Sequence, residues 1–248
     1  DACNDSFTVN APLSASLTVN GGVDSGDVLT VNATTGNDSI TLTGTTVSGV
    51  GATINYHVTN LVINGVAGND TFFINGTTTG TTTINCATHS NDTFNVQATT
   101  GALYLYGGVV GGNVFNLGSL APLTGGALAN LAGPVFIMGG SNTVNVDDTG
   151  DALGGTGTLT ATTLTGFGMG AGITYSGVIV LNISLGSGDD TLTIANTSSA
   201  LTTVSGNGGN DTFNIQATTG TLNLNGGAGN DIFNLGSLAP ATGGSVNT

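Results

Sequence analysis

Apolar and polar residues alternate in short bursts along this chain, and the bursts recur. In Asn210 to Leu235 (NDTFNIQATTGTLNLNGGAGNDIFNL), Phe213 and Ile215 flank Asn214, Leu222 and Leu224 flank Asn223, and Phe233 and Leu235 flank Asn234. Period-two alternation over four or five residues predicts strands with one buried face. The Thr-Thr-Gly and Gly-Gly-Ala-Gly-Asn-Asp clusters between them predict corners. One unit is therefore strand, corner, strand, turn.

The same burst returns at a fixed distance. Phe72, Phe94, Phe115 and Phe136 are spaced by 22, 21 and 21 residues, and Leu192, Phe213 and Phe233 by 21 and 20. Two positions after each comes a second apolar residue: Ile74, Val96, Leu117, Met138, Ile194, Ile215 and Leu235. A chain wound into coils of 20–22 residues would stack these side chains into inward ladders, with Asn and Thr ladders outside. The pattern predicts an all-β parallel β-solenoid of about twelve coils, a rod of about 55–60 Å. The competing architecture is a pair of tandem β-sandwich domains, in which the Gly-rich turns are hairpins.

A longer repeat contains the shorter one. Asn91 to Gly101 (NDTFNVQATTG) recurs as Asn210 to Gly220 (NDTFNIQATTG), and Phe115 to Pro122 (FNLGSLAP) recurs unchanged as Phe233 to Pro240. The offsets are 210 − 91 = 119 and 233 − 115 = 118. The organisation expected is an N-terminal arm over residues 1–16, a first unit over 17–134 and a second over 135–248, all in one rod. Two looser stretches, Val31 to Asn60 and Val144 to Val180, are expected to be longer coils or protruding loops. The tail from Leu235 matches the stretch from Leu117, while Leu17 to Gly22 (LTVNGG) matches Val135 to Gly140 (VFIMGG). The head of one molecule thus resumes where the tail of another leaves off. That predicts copies stacking head to tail into open filaments, with the arm lying across the neighbour.

Composition narrows the functional classes. The chain has no Lys or Arg and 14 acidic residues, all Asp, for a formal net charge of −14. Such a chain cannot neutralise phosphates, which excludes nucleic acid and anionic membranes as partners. No apolar run approaches the 18 or so residues of a membrane span. Few charges, many Asn and Thr, and no site for trypsin-like proteases suit an extracellular or cell-surface protein covered by its own copies. The polar start is what a mature chain freed of its leader, or a fragment, would show. Cys3 and Cys86 leave three states open: a bond within the chain, a bond between chains, or free thiols.

Gly226 to Phe233 (GGAGNDIF) matches the pattern GGxGxDxU, and Gly65 to Phe72, Gly186 to Leu192 and Gly206 to Phe213 match it in part. These residues resemble the RTX, or haemolysin-type, calcium-binding repeats of secreted bacterial proteins. They also resemble the Gly-Asn-Asp-Thr-rich repeats of large bacterial surface proteins. The resemblance implies Ca²⁺ held at the turns by Asp70, Asp92, Asp190, Asp211 and Asp231. The recurrence every 20–22 residues departs from the nine-residue half-coil of RTX repeats. The residues themselves equally allow each Asp to accept turn N–H groups, a role that needs no metal.

Catalytic patterns are weak. Asp148-Thr149-Gly150 looks like an aspartic-protease triplet, but its repeat partner around Ala33 to Gly36 lacks the second Asp. Asp147/Asp148 and Asp189/Asp190 are adjacent, so on a strand they point to opposite faces. His57 and His89 are isolated, and Thr-x-Thr pairs of ice-binding type are interrupted by Asn95 and Asn214. The expectation is no enzyme. It is a structural subunit of an extracellular filament, sheath or biofilm-matrix fibre, or alternatively a repeat segment of a monomeric adhesin or calcium-stabilised surface protein.

Overall fold

A computed structural model of the chain describes residues 3–22, 26–87 and 90–245. The first strands are β1 (Ser6–Asn10), β2 (Leu17–Asn20) and β3 (Val28–Asn32). Next come β4 (Ser39–Leu42), β5 (Thr46–Val50) and β6 (Ala52–His57), then β7 (Asn60–Asn64), β8 (Thr71–Ile74) and β9 (Thr81–Asn85). β10 (Thr93–Val96), β11 (Ala102–Tyr106) and β12 (Val114–Leu117) complete the first half. The second half opens with β13 (Val135–Met138), β14 (Asn142–Asp147), β15 (Thr156–Leu159), β16 (Thr163–Gly166) and β17 (Ile173–Tyr175). It continues with β18 (Val178–Ser184), β19 (Thr191–Ile194), β20 (Leu201–Ser205), β21 (Thr212–Ile215), β22 (Leu222–Asn225) and β23 (Ile232–Leu235).

The strands build two sheets. One has twelve strands in the order β1-β3-β7-β9-β11-β13-β17-β16-β15-β19-β21-β23, and the other eleven in the order β2-β6-β5-β4-β8-β10-β12-β14-β18-β20-β22. Neighbours are parallel except within two meanders, so the fold is the parallel β-solenoid and not a pair of sandwiches. Twelve strands at about 4.8 Å give a rod of about 50 Å.

Between the sheets run the inward ladders. Phe72, Phe94 and Phe115 pair in register across β8, β10 and β12, with Ile74, Val96 and Leu117 beside them. Their rings stack at centroid distances of 5.1 and 4.6 Å, and all three are fully buried. On the outer face a second ladder runs along the axis. Asn145 Nδ2 donates to Asn116 Oδ1 at 2.8 Å, and Asn116 Nδ2 to Asn95 Oδ1 at 2.9 Å. Asn116 and Asn145, the latter accepting from Asn182 Nδ2, thus satisfy donor and acceptor through their own repeat.

Phe136 and Met138 do not belong to the inward ladder. β13 lies in the other sheet from β12, its buried positions are Val135 and Ile137, and Phe136 stacks outside on Tyr104 at 4.6 Å. The inward place above Phe115 is taken by Val144 of β14. A spacing of 21 residues fits either face of either sheet, because a one-residue slip in a strand reverses the face.

The two looser stretches are longer coils: register partners lie 60 − 28 = 32 residues apart across the first (Val28 and Asn60) and 182 − 145 = 37 across the second (Asn145 and Asn182), against 104 − 83 = 21 from Thr83 to Tyr104, and the extra length forms no protruding loop. In each, one pass through a sheet becomes an antiparallel meander lying within that sheet: β4-β5-β6 in the first half, β15-β16-β17 in the second. Tyr56 and Tyr175 bury matching rings and donate their hydroxyls to Thr43 O and Thr160 O at 2.5 and 2.8 Å. Because a meander uses three strands in one pass, the chain passes 12 − 2 = 10 times through one sheet and 11 − 2 = 9 times through the other, fewer than twelve full coils.

This arithmetic sets the relation between the repeats. β2 to β12 make nine passes, an odd number, so the second unit starts in the opposite sheet. β10 stands in one sheet and its counterpart β21 in the other; the same holds for β12 and β23, and for β3 and β14. The first unit adds seven strands to the eleven-strand sheet and four to its partner, and the second does the reverse. Two units are needed to level the rod.

Candidate assembly interface

At the upper end of the rod the described residues leave β22 and β23 with one neighbour each. A groove of about 700 Å³ opens there, lined among others by Ile215, Leu222, Leu224, Phe233 and Leu235. Phe233 is 42% exposed and Leu235 64%, although Phe115 and Leu117, at the same places in the first unit, are buried. At the lower end, β1 and β2 form the edges, with Val9 and Val19 buried and Phe7 and Leu17 half-buried.

The molecule contains a finished version of this end. At the junction of its two units, β11 pairs with β13 and β12 with β14, both parallel. The counterparts of these four strands are β22, β2, β23 and β3. β22 and β2 are in one sheet, β23 and β3 in the other. A second copy set on the upper end without rotation therefore aligns β2 with β22 and β3 with β23, with β1 lying on the β3 edge between them.

The turns carry the sequence-predicted carboxylates, in two stacks. Asp38 N–H donates to Asp70 Oδ1 at 2.9 Å, Asp70 N–H to Asp92 Oδ1 at 2.8 Å, and Asp92 N–H to Asn113 Oδ1 at 2.9 Å. In the second unit Asp190 N–H donates to Asp211 Oδ1 and Asp211 N–H to Asp231 Oδ1, at 2.8 and 3.0 Å. The preceding residue forms a parallel outer stack: Asn91 N–H donates to Asn69 Oδ1 and Asn230 N–H to Asn210 Oδ1, both at 2.9 Å. The recurring Asn-Asp pair thus latches each corner to the next. Glycine lets the corners approach: at Gly68, φ is +109° and a Cβ would lie 2.4 Å from Gly36 O.

Burial pushes Asp70 up to about 6, with Asp92 and Asp38 adding repulsion, and raises Asp190 and Asp211 by the same cause. Asp211 Oδ2 is buried without a hydrogen-bond partner. The five carboxylates predicted as calcium ligands lie one per coil, each turned to a neighbouring N–H. Among the described residues no three His, Cys, Asp or Glu side chains gather. This donor set suits backbone capping and does not fit the six to eight converging oxygens of a Ca²⁺ site.

The other candidates serve the same latches. Asp147 Oδ2 accepts Gly126 N–H and Asp148 Oδ1 accepts Leu128 N–H, both at 2.8 Å. Asp189 Oδ1 accepts Asn210 N–H at 2.7 Å. Cys3 is exposed, Cys86 half-buried, and both are free; burial and the neighbouring Asp92 push the Cys86 thiol up. His57 is exposed on β6, and His89 lies outside the described residues. Sequence reading missed Asp27 and Asp148 as buried latch residues and Asp38 as a half-buried one. Asn37-Asp38-Ser39-Ile40 repeats the Asn-Asp-x-apolar signature and could have revealed one of them.

Comparison with protein-family models, with curated proteins and with solved structures found no match.

Proposed function

We propose that this chain is a structural subunit that polymerises head to tail into an extracellular filament, sheath or matrix fibre. The observation that carries the reading is the pairing of β11–β13 and β12–β14, an internal junction whose upper half is repeated at one end of the rod and whose lower half at the other. Edge strands are templates for pairing, and here β22 and β23 have their complements on the same molecule in β2, an edge, and β3, which β1 covers. The contact is heterologous, so it propagates instead of closing. Its work is mechanical: ladders of Phe, aliphatic and Asn side chains would run on across the joint. The absence of Lys and Arg fits a protein exposed to proteases outside the cell.

Negative-stain electron microscopy and light scattering of the 248-residue chain across concentration and salt provide the test. Unbranched fibres with scattering that rises with concentration are expected. A chain that stays monomeric throughout would overturn the reading.

A further inference from the structure

The two units together add eleven strands to each sheet, since 7 + 4 = 4 + 7. β1 is the surplus, and it makes the twelfth strand of its sheet. Its sequence tells what it is. Asn4-Asp5-Ser6-Phe7-Thr8-Val9 follows the pattern of Asn230-Asp231-Ile232-Phe233-Asn234-Leu235. Its register does too: Phe7 pairs with Leu29 and Val9 with Val31, as Phe115 pairs with Val144 and Leu117 with Val146. Asp5 N–H donates to Asp27 Oδ1 at 2.8 Å, the same backbone-to-carboxylate latch that joins the other coils. β1 therefore occupies, on its own subunit, the place that β23 of a preceding copy would fill.

If copies stack as proposed above, on which this inference rests, one slot lies between β21 of one subunit and β3 of the next, with two strands to fill it. We propose that β1 is a detachable stand-in for β23. It covers the β3 edge of the free subunit and is displaced by β23 of a second copy of this chain when the two join, so each elongation step is a strand exchange.

The fit favours β23 as the winner. Its Phe233 ring stacks on Phe213 at 5.1 Å and Asn234 Nδ2 donates to Asn214 Oδ1 at 2.8 Å, so it carries both ladders up to the joint. β1 has Thr8 in place of that Asn and the smaller Val9 in place of Leu235. Asn32, which donates to Asn10 in the free subunit, stands where Asp147 accepts Gly126 N–H at the internal junction. Gly244, the counterpart of Gly126, would bring that N–H with β23. In the joint β23 keeps every bond it has to β21 and gains a second edge.

The test locks the strand. Thr8 and Thr30 are register partners with side chains on the outer face, close enough for a disulfide. In a Cys3→Ser, Cys86→Ser background, Thr8→Cys with Thr30→Cys should abolish pelletable fibre when oxidised and restore it when reduced. The matching lock Thr212→Cys with Ile232→Cys, register partners on the outer face that tie β23 to β21, should leave assembly intact when oxidised. Hydrogen exchange gives a second readout: amides of Phe7 to Asn10 are expected to lose protection on assembly while those of Ile232 to Leu235 gain it. Fibres from the oxidised Thr8/Thr30 lock, with Phe7 to Asn10 still protected, would overturn strand exchange while leaving head-to-tail stacking standing. Arrest by the oxidised Thr212/Ile232 lock alone would mean that β23 is the strand displaced, and would overturn the direction proposed. Absence of fibres from the unlocked, reduced chain would remove both readings together.

Discussion

Phe115 and Phe233 hold the same position in the two halves of the chain and meet opposite surroundings. Phe115 lies between Phe94, stacked at 4.6 Å, and Val144 of the next coil, and is fully buried. Phe233 stacks on Phe213 at 5.1 Å, and among the described residues no strand lies above β23. The flanking sequences, FNLGSLAP, are identical. Burial in a solenoid is conferred by the neighbouring coil, so the same residue is core in one place and interface in another.

The largest expected effect tests this contrast directly. Phe115→Ala should cost about 3–5 kcal/mol, the usual loss for a buried Phe with its cavity. Phe233→Ala in the free subunit should cost about 1 kcal/mol, the worth of one ring stack and partial burial. Urea unfolding of dilute, monomeric protein measures both. Equal losses would mean that the upper end is already covered in the free chain. In fibres the second substitution should approach the cost of the first, because the joint supplies the missing coil.

Acid should strengthen this protein, and the same division between interior and end explains where the effect arises. Asp70 and Asp148 are each pushed up to about 6 by burial, and Asp190 and Asp211 are raised as well, while Asp231 at the open end is only half-buried. A carboxyl with a higher pKa in the folded chain binds more protons folded than unfolded between the two values. Its contribution is full below about 4, the unfolded value, and is lost as pH rises through about 6. Relief of a net charge of −14, with no Lys or Arg to offset it, acts in the same direction. The melting midpoint should therefore rise by about 5 °C or more between pH 7.5 and pH 4. A midpoint that falls on acidification would show that the interior carboxylates are stabilised as anions.

The 20–22-residue spacing made the coil, the Phe72/Phe94/Phe115 ladder and the Asn ladders legible in the sequence, because stacking side chains on their own copies leaves a periodic trace. Two things were hidden. The spacing could not say which face or sheet a strand joins, so Phe136 looked like a fourth rung although it stacks on Tyr104 outside. The meanders were hidden because Ile40-Thr41-Leu42 and Leu159 to Thr163 alternate as any strand does, and pairing direction leaves no mark on alternation. The end strand was legible in principle: Asn4 to Val9 repeats the Asn-Asp-x-Phe signature, but its meaning depends on counting passes through each sheet. At the turns, the Gly-Asn-Asp pattern reads alike for a metal site and for a latch, and only the direction of each carboxylate separates them.

The smallest expected effect follows from that last distinction. If Asn and Asp at each corner serve N–H groups of the adjacent coil, the interior corners and the open corner at Gly226 to Asp231 differ in burial but not in need of a cation. A ligand that binds the folded chain alone stabilises it in proportion to the logarithm of its concentration over its dissociation constant, so saturating calcium at a true site would raise the melting midpoint visibly. With the carboxylates spread one per coil and their Oδ1 atoms occupied by backbone donors, the midpoint should move by less than about 2 °C between excess EDTA and millimolar calcium. Magnesium should give the same small shift, since diffuse screening of 14 carboxylates does not distinguish the two ions. A larger rise specific to calcium would show that the corners rearrange to gather oxygens, and the Asp211 carboxylate, with its buried free Oδ2, would be the first place to look for the ligand.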